Sequence, residues 1–206
     1  MVIEKMILGA LGTNCYVVYD EESREAFVVD PASSFERIKN KIDSLSLKLK
    51  YIILTHAHFD HVEALDELYE HYDAKLCIGK NEENALSDST LNLCAYAGGT
   101  SPKAKADMLL MDGDELSLGN SCVTIAETPG HTPGCISILV EDSVISGDTL
   151  FFESVGRTDF PGGNMRELID SIKEKLFTLP GNTKVYPGHG EATTIEHEIK
   201  NNPFIR

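Results

Sequence analysis

Seven histidines stand in this chain, and most of them fall in short strings that could hold metal ions. The first string is Thr55-His56-Ala57-His58-Phe59-Asp60-His61, and the second is Gly130-His131-Thr132-Pro133-Gly134. His189 sits in Pro187-Gly188-His189-Gly190, while His71 and His197 fall on expected helices. His56 and His58 are two apart, so extended backbone points them the same way. Asp60 and His61 open the following helix and turn toward a second point. Neutral imidazole and carboxylate are natural donors for zinc, iron or manganese. The spacing therefore reads as two neighbouring ligand sets. His131 and His189, each flanked by glycine, lie in tight turns that bring backbone close to a bound ion. Asp148 ends the run Val144-Ile145-Ser146-Gly147-Asp148 and is a candidate to bridge two cations through its two oxygens.

The elements around these residues must deliver them to one cleft. Cys15 to Tyr19 and Ala26 to Val29 read as strands, the second ending at the turn pair Asp30-Pro31. Ser33 precedes Glu36 by capping-box spacing, and Phe35, Ile38, Ile42 and Leu45 recur at helical intervals. Tyr51 to Leu54 is a short buried strand leading into the first histidine string. Val62, Leu65, Leu68 and Tyr69 mark the next helix, and Leu76 to Ile78 another strand. Residues 81–105 are irregular, a long connection of the kind that forms flaps. Strands follow at Val123–Ala126, Ile136–Val140 and Val144–Ile145, then a helix from Asn164 to Phe177. Val185-Tyr186 is a late strand, and Thr193 with Glu196 caps a last helix. Strands and helices alternating in two halves predict an α/β protein with sheets inside and helices outside.

Composition bounds the function. The chain has 206 residues, 42% hydrophobic and 25% charged, which fits one globular domain over 1–206. The net charge of −15 and the lack of any basic run argue against nucleic acid. No apolar run approaches the roughly 18 residues needed to span a bilayer, and no leader pattern is read, so no membrane role is expected. Cys15, Cys77, Cys94, Cys122 and Cys135 are odd in number, scattered and without a CxxC pair. They point to small buried side chains in a reducing cytoplasm rather than a disulfide framework.

His-x-His-x-Asp-His, a distant Gly-His, Ser-Gly-Asp and Gly-His-Gly together resemble the metallo-β-lactamase superfamily over essentially the whole chain. The resemblance implies its αββα sandwich. It implies that His56, His58 and His131 hold one metal, that Asp60, His61 and His189 hold the other, and that Asp148 bridges them with a shared hydroxide. Within the superfamily the chain is most similar to the glyoxalase II group of hydroxyacylglutathione hydrolases. The strings that carry this are Thr128-Pro129-Gly130-His131-Thr132-Pro133-Gly134, Ser146-Gly147-Asp148-Thr149-Leu150-Phe151 and Gly156-Arg157-Thr158-Asp159-Phe160. The match is to small single-domain bacterial members, without the basic C-terminal helical domain that holds glutathione in two-domain members.

The implied chemistry is hydrolysis of a thioester such as S-lactoylglutathione. Two divalent ions, zinc by default with iron or manganese as alternatives, lower the pKa of a water to supply hydroxide. Asp60 is expected to orient that hydroxide besides acting as a ligand. A thiolate leaves with little need of an acid, because a free thiol has a pKa near 8.5. Asp30 is the best candidate to fix an imidazole tautomer from behind. Arg157 is a candidate to grip a carboxylate of the thiol carrier, with an internal salt bridge to Asp159 as the alternative. Tyr186 is a candidate for the cleft lining, with buried packing as the alternative. A different class of activity shares the Gly-Arg-Thr-Asp-Phe string: a mononuclear iron persulfide dioxygenase using His56, His131 and Asp148. Lactone or β-lactam hydrolysis is a further reading, against which Asp148 counts, since many lactamases carry Cys there.

Overall fold

The structure, a computed structural model, describes residues 1–205. Strands β1 (Val2–Leu8), β2 (Thr13–Tyr19) and β3 (Glu25–Val29) form an antiparallel meander. Helix α1 (Phe35–Ser44) then crosses to β4 (Lys48–Leu54), which pairs parallel with β3. The short helices α2 (Phe59–Val62) and α3 (Leu65–His71) lead to β5 (Lys75–Gly79). After helices α4 (Glu83–Ser87) and α5 (Cys94–Ala97), β6 (Met108–Leu110) closes a six-stranded sheet in chain order. The second sheet comprises β7 (Glu115–Leu118), β8 (Ser121–Glu127), β9 (Ile136–Val140) and β10 (Ser143–Gly147), antiparallel in sequence. A small hairpin, β11 (Leu150–Phe151) and β12 (Ser154–Val155), precedes helix α6 (Met165–Ser171), which continues into a wider π-type turn over Ile172–Leu176. Strand β13 (Lys184–Pro187) returns parallel to β10, β14 (Thr193–Thr194) takes the edge, and α7 (Ile195–Asn201) ends the chain's helices.

Alternation along the strands builds three apolar layers. In β2 every residue is buried, and successive side chains go to opposite faces. Tyr16 and Val18 join Phe27, Val29 and Ile53 between the sheets, against Ile125, Ile136, Ile138 and Ile145. Val17, with Val28, Ile52 and Leu76, faces the other way and packs under Ile38, Ile42, Leu65 and Leu68 of α1 and α3. The far side of the second sheet sets Val144 and Val185 beneath Leu168, Ile172 and Ile195 of α6 and α7. This is the αββα sandwich expected from the sequence. No helix among the described residues is long and apolar enough to cross a membrane.

Local expectations held unevenly. The Ser33–Glu36 capping box does not form: Ser34 occupies the cap position in the left-handed region and makes no side-chain cap bond. The helix over 62–69 is two short helices. The last helix is capped by Thr194 Oγ1, which accepts from the His197 amide, while the neighbouring Thr193 hydroxyl donates to Glu198 instead. Strand β1 lacked a clean signal, since Glu4 and Lys5 interrupt its apolar run.

Candidate metal centre

Parallel strands end together, so the loops that follow them meet at one edge of the sandwich. Asp30 follows β3, His56 to His61 follow β4, Asp148 follows β10 and His189 follows β13. His131 comes from the loop after β8. Three overlapping groups of donor atoms gather there, each within 4.8 Å: His56, His58 and His131; Asp60, His61 and His189; and Asp30 with His56 and His61. Asp148 lies between the first two. Its Oδ2 is 3.7 Å from both His131 Nε2 and His189 Nε2, and its Oδ1 is 3.5 Å from His61 Nε2. The seven residues singled out in the sequence therefore converge.

Hydrogen bonds behind the rings decide which nitrogen faces the centre. His131 Nδ1 meets the Arg157 carbonyl at 2.7 Å, so it carries the proton and Nε2 presents a lone pair. His61 Nδ1 donates likewise to Asp30 Oδ2 at 2.9 Å. Asp30 is buried and also accepts from the Thr55 amide at 2.8 Å and the Thr55 hydroxyl at 2.7 Å. The role expected of Asp30 is the one its contacts give it. His58 Nδ1 and His131 Nε2 approach to 2.9 Å, two ring nitrogens aimed at a common point.

The residues fit a pair of divalent cations. His56 Nε2, His61 Nε2 and Asp148 Oδ1 are buried polar atoms with no hydrogen-bond partner. Buried polar groups are as a rule satisfied, and three such exceptions among these donors are what bound cations would resolve. The electrostatics divide the two sets. Burial, then the neighbouring rings, hold His56 well below the usual histidine range and bring His58 down to about 3. Burial would also lower His61, but the Asp148, Asp30 and Asp60 carboxylates outweigh it and push it up to about 9. His189 is raised too: burial opposes, but the Asp60 hydrogen bond and Asp148 prevail. Asp60 is held well below the carboxylate range, because His189, His61 and the Thr13 hydroxyl outweigh its burial.

Contacts remote in sequence hold the loops. Thr13 Oγ1 donates to Asp60 Oδ2 at 2.8 Å. Asn14 Nδ2 donates to the Pro187 and Gly190 carbonyls, and Tyr16 Oη to Pro187, clamping the His189 turn to β2. Gly188 is required there: a Cβ would overlap Asp148 Oδ1 and His61 Cε1. Glu82, buried, accepts from the Ala57 amide (3.1 Å), the Thr132 hydroxyl (2.8 Å) and the Gly134 amide (3.1 Å). Its carboxylate ties the first histidine loop to the His131 loop. Sequence reasoning missed these residues. A buried Glu just after a strand was the one available signal.

The two expected substrate contacts fare differently. The Arg157 guanidinium lines the cleft but makes a two-pronged bond to Asp159, 2.7 Å on each side, and lies 3.9 Å above the Phe160 ring. This is the internal salt bridge that stood as the alternative to a carboxylate grip, made between two exposed side chains at the cleft's rim. Tyr186 packs edge-on against Tyr16, at 5.8 Å between centroids, and joins the core between the sheets. It is not among the residues that line the cleft, so packing, the alternative reading, is what its contacts give it. The irregular 81–105 segment does reach the cleft, through Leu93.

Comparison with known proteins agrees with this geometry. The metallo-beta-lactamase superfamily model matches residues 8–189. A probable metallo-hydrolase, YqgX of Bacillus subtilis, is 40% identical, covering 98% of this chain and 96% of its own. Hydroxyacylglutathione hydrolase GloC of Haemophilus influenzae is 36% identical, covering 100% and 98%. Among solved structures, BLEG-1 B3 metallo-beta-lactamase superposes with a TM-score of 0.94 at 36% identity over 99% of both chains. TTHA1623, solved in a di-iron-bound form, superposes at 0.87 with 34% identity over 98% and 99%. With its sandwich, its converging histidines and aspartates, and relatives matched along nearly their whole length, this chain belongs to the metallo-β-lactamase superfamily.

Proposed function

We propose that this protein is a binuclear metal-dependent hydrolase that cleaves thioesters. The observation that carries the reading is Asp148 standing between two ligand sets, with its Oδ1 and the Nε2 atoms of His56 and His61 lacking any other partner. His56, His58 and His131 would hold one ion, Asp60, His61 and His189 the second, and Asp148 both. Two divalent ions supply a water acidic enough to be nucleophilic near neutral pH and a Lewis acid for the substrate's carbonyl oxygen. Zinc is the default choice, with iron supported by the di-iron form of TTHA1623 and manganese compatible with the donors. Asp60, kept ionised by His189 and His61 and anchored by Thr13, accepts a hydrogen bond from the attacking water at its free oxygen and orients it. No side chain need protonate a thiolate leaving group. The likeness to GloC supports an acyl-thiol substrate. The unpaired cysteines support a cytoplasmic setting.

A β-lactam amide is the second reading, favoured by the likeness to BLEG-1. An amine leaving group requires a proton donor, and the ionised Asp60 is poorly suited to that. The test is a three-armed assay on protein whose metal content has been measured: S-lactoylglutathione cleavage, cephalosporin cleavage, and oxygen uptake with glutathione persulfide. About two ions per chain with thioester cleavage is the expected result. Lactam cleavage alone, or a single iron with oxygen uptake, would replace the proposal.

A further inference from the structure

The walls of the cleft suggest what lies beside the reacting carbonyl. The cleft encloses about 370 Å³; apart from the ligands and the polar Ser154 and Arg157, its walls are Leu11, Phe59, Leu93, Phe151, Val155 and Phe160. A second hollow of about 380 Å³ adjoins it, shares Phe59, Leu93 and Phe160, and extends under Tyr96 and Pro161. The shared residues make the two hollows one continuous trough leading away from the metal ligands.

Two features show that this wall is held in place. Leu93 sits in the left-handed region at φ 65°, which costs energy for a large side chain and persists only where the surroundings impose it. The neighbouring Asn92 imposes it. Fully buried, Asn92 donates to the Ala85 and Leu86 carbonyls and to Ser101, accepts from the Cys94 amide, and offers its own carbonyl to the Phe59 amide. Phe160 is fixed from the other side. Arg157 covers its face, and its ring stands edge-on to His58 at 5.8 Å. Arg157 is the one cationic residue, apart from the histidines, lining either hollow, and its guanidinium is already paired with Asp159. The trough thus offers area for apolar groups, and its one non-histidine cation is already engaged by Asp159, in a chain whose net charge is −15.

We infer that the substrate carries an apolar chain next to the thioester, seated on Leu93 and Phe160 and reaching under Tyr96. This rests on the thioesterase reading and narrows its substrate class. The chain belongs either to the acyl group or to the thiol, and the experiment separates the two. One series varies the acyl group from acetyl through butanoyl to hexanoyl on N-acetylcysteamine. A second keeps acetyl and lengthens an alkane thiol. S-lactoylglutathione is the charged reference. Burial of a methylene contributes about fourfold, or about 0.8 kcal/mol. The kcat/KM should therefore rise about fourfold per methylene in one series and exceed that of S-lactoylglutathione, with Leu93→Ala and Tyr96→Ala each flattening the slope. Non-hydrolysable S-alkyl thioethers, titrated calorimetrically on the same protein, should show the same dependence in affinity. Flat series in both turnover and binding, or S-lactoylglutathione as the best substrate, would overturn the inference. Thioether binding that grows with length, without cleavage of any thioester, would uphold the trough and overturn the thioesterase reading alone.

Discussion

Replacing Asp30 by Asn should remove the second metal ion while leaving the first, through a proton rather than through lost packing. The Asp30 carboxylate accepts three bonds, from the Thr55 amide, the Thr55 hydroxyl and His61 Nδ1. The Thr55 amide cannot turn away, so the Asn carbonyl oxygen must keep the position that faces it. The NH₂ then takes the Oδ2 position, facing the Thr55 hydroxyl and His61. A hydroxyl rotates to accept. His61 accepts only if its proton moves from Nδ1 to Nε2, where it points at the Asp60 and Asp148 oxygens, 3.6 and 3.5 Å away. An Nε2–H cannot bind a metal. Loss of such a supporting contact typically lowers metal affinity about 10–100-fold, or about 1.4–2.7 kcal/mol. Asn also tolerates the left-handed backbone at this position, φ 50°. The metal-free fold should thus lose only about 1 kcal/mol, the difference between a charged and a neutral hydrogen bond. Asp30→Ala is the contrast. It strands the buried Thr55 amide and the His61 N–H at about 1–3 kcal/mol each, a large share of a typical total of about 5–15 kcal/mol. Calorimetric metal titration and thermal melts of metal-free protein read both quantities. If Asp30→Asn binds two equivalents with the parent's affinity, the tautomer argument is wrong.

The two ligand sets should also differ with pH. His56 and His58, held down by burial, are free of protons at neutrality, whereas His61, pushed up to about 9, keeps its proton in the metal-free chain, and His189 is shifted in the same direction. Metal must displace the His61 proton, which alone should make the second equivalent bind about tenfold more tightly per pH unit until His61 titrates. The first should change little over that range, and a second equivalent insensitive to pH would refute the division. Glu82→Ala should strand the Ala57 and Gly134 amides, costing about 2–6 kcal/mol of stability. Glu82→Gln retains one acceptor oxygen and should restore part of it, a recovery that thermal melts of the two variants would show or deny.

The metal ligands were legible because their chemistry is local. His-x-His-x-Asp-His declares its donors within six residues, and the apolar strand before it shows that they leave a buried edge. Asp30 was legible for a related reason, a carboxylate at the end of a strand beside a second strand end. Arg157 and Tyr186 were ambiguous because each had two partners of suitable chemistry, and sequence does not say which lies nearer. The structure answers with Asp159 at 2.7 Å and Tyr16 at 5.8 Å between ring centroids. The capping box at Ser33 failed through an unexpected left-handed Ser34, which lets the chain turn out of Asp30-Pro31 before the helix begins.

By itself the sequence determined the fold class, the superfamily resemblance and the seven candidate ligand residues, since these depend on periodicity and on residues close together in the chain. Tertiary structure decided what supports and surrounds them. Thr13 reaches Asp60 across 47 residues, Glu82 reaches Gly134 across 52, and Asn14 reaches Pro187 across 173. Leu93 and Phe160 become one wall only when the 81–105 segment and the Arg157 loop fold over the same edge. Hydrogen bonds and apolar contacts act over a few ångströms, and which distant segments come that close is set by the packing of the two sheets.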